Sequence, residues 1–133
     1  MNNPITEKLH QSSEGLLMLS ESDYPFEVFV WTDKTSETLT NQKILELTGH
    51  SQDTFIETVD IDYFFRNCAV EKEWHDEAQR QDVHKFQALI QTLKDNLSDI
   101  NVYRIGTVNI DVYICGKTSS GDLAGVSTKV VET

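Results

Sequence analysis

The stretch from Val102 to Thr133 leaves this chain few folds to adopt. Val108, Ile110, Val112 and Ile114 alternate strictly with Asn109, Asp111, Tyr113 and Cys115, which is the two-residue period of a strand. Ser120-Gly121-Asp122 then supplies turn chemistry for an antiparallel hairpin. The last twelve residues, Asp122 to Thr133, alternate again. Leu123, Gly125, Ser127, Lys129 and Val131 share one side. Ala124, Val126, Thr128 and Val130 make the other side small and apolar. With Val102-Tyr103-Arg104-Ile105-Gly106 ahead of them, three strands lie close in sequence, and a strand is expected to run almost to the final residue.

The preceding residues read as helices and further strands. Thr6 is the expected N-cap of a first helix ending near Ser20, with Leu9, Leu16 and Leu17 near one stripe. An acidic turn, Ser20 to Pro25, leads into a strand over Phe26–Thr32. That strand is apolar on both faces (Phe26, Val28 and Val30 against Phe29 and Trp31), which predicts cover on both sides. A short helix over Thr40–Leu47 closes at Thr48-Gly49. Phe55–Ile61 reads as a second strand or extended segment, and Asp60 or Asp62 is placed to cap a short helix carrying Tyr63, Phe64 and Phe65, all three expected in the core. The longest helix spans about Asp76 to Leu97. Val83, Phe86, Leu89, Ile90, Leu93 and Leu97 form its 3.6-residue stripe. The sum is an α+β fold with a largely antiparallel sheet and helices on both of its faces.

Length and composition bound the function. At 133 residues the chain is expected to be one domain, 1–133, and can bury a core without staples. No apolar run approaches the roughly 18 residues of a membrane span. Met1 to Lys8 has neither the basic nor the apolar region of a signal peptide, which predicts a cytoplasmic protein. Cys68 and Cys115 are distant, off any zinc spacing, and expected to be reduced. Twenty-two acids oppose eleven bases, for a net charge of −11. The first 82 residues hold 17 acids and 6 bases; the remaining 51 hold five of each. Such a field repels nucleic acid and membrane phosphates and steers basic partners in.

Catalytic constellations are absent from the sequence. His10, His50, His75 and His84 make no metal pair at helical spacing, and there is no His-Glu-x-x-His, no Gly-x-Ser-x-Gly and no phosphate-cradling glycine loop. Asp60 and Asp62 fall on one side if extended, which keeps a small hydrolase as one alternative. A second alternative is an acidic protein-binding module with some other basic partner. The C-terminal tip carries the Glu132 carboxylate, the Thr133 hydroxyl and the Thr133 α-carboxylate, oxygens suited to a hard metal ion or to Arg and Lys of a partner.

Several blocks together resemble one family. Leu16-Leu17, Ser20-Glu-Ser-Asp-Tyr-Pro-Phe-Glu-Val-Phe-Val-Trp31, Thr48-Gly-His-x-Gln-Asp53, Val59-Asp-Ile-Asp62, Val102-Tyr-Arg-Ile-Gly106, Ile110-Asp-Val-Tyr113 and Leu123 to Thr133 are similar to the nuclease A inhibitor family of cyanobacteria. The likeness runs from about residue 7 to the last residue, and its C-terminal block is the most specific. The resemblance implies a three-layer α/β/α sandwich and a non-enzymatic inhibitor of a sugar-non-specific, metal-dependent DNA/RNA endonuclease, binding one to one. It implies no cofactor of the chain's own; the divalent metal, Mg²⁺, belongs to the target. By the same resemblance Glu21 pairs with arginines of the nuclease cleft, Glu73 and Trp74 contact the partner, and Thr133 approaches the catalytic metal. Glu73 stands where the family pattern has Asp, so its carboxylate reaches one methylene farther.

Physical reasoning bears on each of these residues. A nuclease that reads no sequence must bind phosphate and metal, so an inhibitor needs negative oxygens at matching places. Glu21 on a Pro-braced turn and the tip of a paired strand are both anchored through the backbone and would lose little entropy on binding. Glu73 reads as a rim charge tuning association rate. Trp74 reads either as an interface anchor or as a hydrophobic staple on the helix that follows.

Overall fold

The C-terminal strands lie in the interior of the sheet. The computed structural model describes residues 4–14, 16–18, 24–31, 41–66, 76–118 and 123–132. In chain order its elements are α1 (Pro4–Ser13), β1 (Leu17–Met18), β2 (Tyr24–Pro25), β3 (Glu27–Trp31), α2 (Asn41–Leu47), β4 (Ile56–Val59), α3 (Ile61–Phe64), α4 (Glu77–Asn96), β5 (Ser98–Ile105), β6 (Asn109–Lys117) and β7 (Leu123–Val131). One five-stranded sheet has the order β3-β7-β6-β5-β4, with every neighbouring pair antiparallel. β1 and β2 form a separate two-stranded ribbon. The α+β class and the antiparallel sheet follow from the alternation read in the sequence.

Alternation sends each strand's side chains to two faces. On one face Val102, Ile110, Val112, Ile114, Ala124, Val126 and Val130 pack with Leu9 of α1, Ile61 of α3 and the α4 stripe of Phe86, Leu89, Ile90 and Leu93. Truncating a fully buried leucine such as Leu89 to Ala would cost roughly 2–5 kcal/mol, because the cavity adds to the lost transfer energy. On the other face Tyr103, Ile105, Cys115 and Leu123 pack with Ile44 and Leu45 of α2, and Phe29, Trp31, Ile56 and Tyr113 join them. β3 is an edge strand, yet it contributes to both clusters, as its doubly apolar sequence predicts.

Caps set the helix ends. Asp76 accepts from Gln79 N–H at 2.8 Å while its own N–H donates to Gln79 Oε1 at 2.9 Å, a complete capping box at the start of α4. Asp60 caps α3 through the N–H groups of Asp62 and Tyr63. α2 ends in a Schellman arrangement: His50 N–H donates to Leu45 O at 2.8 Å and Gly49 N–H to Glu46 O at 3.2 Å, with Gly49 at φ +76°.

Three expectations need correction. The first helix begins at Pro4 and ends at Ser13, not at Ser20. Proline is tolerated in a first turn, and the Ser12 and Ser13 hydroxyls fold back onto Lys8 O and Leu9 O at the other end. Leu16 therefore reaches the core from an extended segment. Tyr63 is 56% exposed, under the Arg66 guanidinium, while Phe65 is buried. Consecutive residues of a helical turn point about 100° apart, so three cannot share one core-facing side. Val108 lies in the β5–β6 connection and is exposed, since β6 begins one residue later. As expected, the last strand runs almost to the final residue: β7 ends at Val131, and the Glu132 N–H carries its ladder one step on.

Candidate functional site

Glu132 is held by two contacts among the described residues. Its N–H donates to Val108 O at 2.9 Å, which continues the β6–β7 ladder one step past the strand. Its Oε1 accepts from Arg104 Nη2 at 2.7 Å, and Arg104 Nη1 donates to Glu57 Oε1 at 2.6 Å. One guanidinium fork thus ties β4 and β5 to the chain end. The Arg104 side chain is 21% exposed and that of Glu132 55%. Arg104 Nε is buried and has no hydrogen-bond partner among the described residues. Thr133 follows Glu132 directly and lies outside the described residues.

Glu21, Glu73 and Trp74 also lie outside the described residues, but the residues next to those segments are placed. Residues 19–23 connect Met18 to Tyr24, which pair in the β1–β2 ribbon. Thr128 Oγ1 donates to Pro25 O at 3.0 Å and Tyr24 O at 3.3 Å, and Lys129 Nζ lies 6.0 Å from the Tyr24 ring centroid. The ribbon therefore sits beside the last part of β7.

The direction of α4 follows from its contacts at either end. Phe86 meets Phe26 edge-on at 6.1 Å, and Phe26 immediately precedes Glu27, the partner of Ser127. Leu97, at the other end of α4, packs over Gly116, where a Cβ would come within 2.8 Å of Leu97 Cβ. Gly116 pairs with Ala124 near the start of β7. α4 thus runs from the Val131 end of β7 toward its Leu123 end. Asp76 stands ten residues before Phe86, about 15 Å along a helix. Glu132 stands five residues past Ser127, about 17 Å along a strand. The N-terminus of α4, the described end nearest in sequence to Glu73 and Trp74, accordingly points toward the Val131 end of β7.

Distant sequence blocks meet elsewhere as well. His50 Nε2 lies 2.8 Å from Asp111 Oδ2, and His50 Nδ1 lies 2.6 Å from Thr48 Oγ1, which joins the end of α2 to β6. Asp62 accepts from Lys94 Nζ at 2.8 and 2.9 Å, and Asp60 is committed to its cap. Both carboxylates of the hydrolase alternative are thus engaged in holding α3. Among the described residues no three His, Cys, Asp or Glu side chains gather as a metal site. Cys115 is a free thiol, and burial pushes its pKa up to about 12. Burial likewise raises the Tyr103 and Tyr113 hydroxyls, with smaller contributions from Cys115 and from Asp111 and Glu27 respectively. None of the three is poised to act as a nucleophile near neutral pH.

Sequence reasoning missed Arg104, Glu57 and Thr128. A faint signal existed for Arg104, the only base between Lys94 and Lys117, spaced two residues from Val102 on a strand face otherwise apolar. Glu57 and Thr128 become visible only through cross-strand register.

These features define an acidic α+β protein whose open sheet end gathers a C-terminal carboxylate, a strand ribbon and a helix N-terminus. Residues 3–133 match the family described as NuiA, nuclease A inhibitor-like protein, and the chain belongs to that family. No curated protein gives a significant match to the chain. Among the described residues no helix is long and apolar enough to cross a membrane.

Proposed function

We propose that this chain inhibits a sugar-non-specific, metal-dependent endonuclease in a one-to-one complex, filling the substrate cleft with carboxylates and catalysing no reaction itself. The observation that carries this reading is the shared end of the sheet. Tyr24, Asp76 and Glu132 border the segments containing Glu21, Glu73 with Trp74, and Thr133, and all three border residues lie toward the Val131 end of β7. Carboxylates are the groups that suit a cleft built for phosphate and metal. Oxygens of the tip are the hard donors that a Mg²⁺ of the target prefers, and the metal remains the nuclease's. The chain's net charge of −11 speeds encounter with a basic cleft. Its action is placed in the cytoplasm, against a nuclease dangerous to the cell's own nucleic acids.

Cleavage assays test this reading. A sugar-non-specific, metal-dependent nuclease is titrated with the full chain and with a version lacking Glu132 and Thr133. Stoichiometric inhibition by the first, weakened in the second, is expected. Equal inhibition by both would move the decisive contacts to Glu21 and Trp74. A folded full chain that leaves several such nucleases untouched would reject inhibition in favour of an acidic module with another basic partner.

A further inference from the structure

Resting on that reading, we propose that Arg104 is a positioning residue for the inhibitory C-terminus, fixing Glu132, the residue to which Thr133 is joined, without touching the partner. β7 ends at Val131, so regular sheet pairing does not reach the tip. Beyond the strand only two contacts described here hold Glu132: its N–H to Val108 O and its carboxylate to Arg104. The backbone bond alone leaves the Glu132 side chain free to rotate. The Arg104 contact removes that freedom, because its fork is fixed at the far side by Glu57. Glu57 pairs directly with Arg104 across β4 and β5, so the guanidinium is anchored on rigid strands. Its partly buried setting and orphaned Nε make it dependent on both carboxylates.

In this arrangement Glu132 acts inward. Its Oε1 serves the chain's own clamp, and pre-organising the tip lowers the ordering cost of binding. Lysine offers a point charge and not a fork, so it cannot span two carboxylates in the same way.

The test compares Arg104→Gln, Arg104→Lys and Glu132→Gln, each in the full chain and in a chain ending at Glu132. In the free protein, amide exchange at Glu132 should quicken about tenfold or more in Arg104→Gln while Val126 and Ile114 stay protected. Inhibition by the full chain should weaken about tenfold in Arg104→Gln and less in Arg104→Lys, and Glu132→Gln should add little to Arg104→Gln. In the chain lacking Thr133, Arg104→Gln should change inhibition by less than about twofold, since no tip remains to place. Unchanged Glu132 exchange would overturn the clamp. Quickened exchange with unaltered inhibition, or equal losses with and without Thr133, would overturn the positioning role alone. Absence of inhibition by the unsubstituted chain would overturn the function on which the proposal rests, whatever the exchange data show.

Discussion

Replacing Thr128 by Val should loosen the β1–β2 ribbon while leaving the five-stranded sheet intact. Thr128 is 7% exposed, and its single hydroxyl proton is shared between Pro25 O at 3.0 Å and Tyr24 O at 3.3 Å. Valine has nearly the same shape and keeps the packing against β2. The substitution removes a hydrogen bond worth about 1 kcal/mol net and turns a methyl toward two carbonyls. A carbonyl that cannot reach water adds about 1–3 kcal/mol; Pro25 is exposed, so water relieves part of this penalty. The expected loss is about 1–2 kcal/mol in urea unfolding. Thr128→Ser keeps the donor and deletes one buried methyl, for about 0.8 kcal/mol. Global stability therefore separates the two variants poorly, and local exchange separates them well. Amides of Met18 and Tyr24 should exchange faster in Thr128→Val and stay near the unsubstituted rate in Thr128→Ser. Nuclease inhibition should follow the same order, because residues 19–23 carry Glu21. Equal exchange in both variants would refute the argument that the hydroxyl, and not packing, holds the ribbon.

Three further outcomes are expected. Asp76→Ala removes the carboxylate that accepts from Gln79 N–H, leaving only the backbone N–H bond to Gln79 Oε1, and should cost about 1 kcal/mol in denaturant unfolding, with fraying confined to the first turn of α4. Gly106→Ala meets both a φ of +111° and a Cβ only 2.6 Å from Asn109 O, so it should lower stability by at least about 1–3 kcal/mol and expose the β5–β6 turn to exchange. Cys115 should make the protein alkali-sensitive. Its folded thiol titrates near 12 against an ordinary value of 9.0, so its contribution is complete below pH 9 and is lost as pH rises toward 12. Thermal scans between about pH 8 and 10.5 should show a shallower alkaline decline in Cys115→Ala than in the parent, and identical slopes would contradict the assignment.

The local features of the fold were legible because they repeat at fixed periods. The α4 stripe, the cap at Asp60, the Gly49 helix end and the alternation of β6 and β7 each depend on residues within one or two turns of chain. The first helix was overextended because Leu16 and Leu17 suit a helical stripe and an extended segment equally, and serine hydroxyls binding back to the helix leave no periodic mark. Tyr63 was misplaced because one helical turn is too short to show its period. Of the candidate site, the C-terminal strand and its carboxylate tip were visible in residues 122–133.

Sequence alone therefore determined an acidic α+β chain ending in an oxygen-bearing tip, since composition and two- and 3.6-residue periods are properties of neighbouring residues. Tertiary structure decided that Glu132 faces Arg104 and that Glu132, the ribbon and the start of α4 lie toward one end of the sheet. Residues 57, 104 and 132 meet only after β4, β5, β6 and β7 have chosen their register. A shift of one residue would turn every side chain of a strand to its opposite face, so no local pattern can specify that meeting.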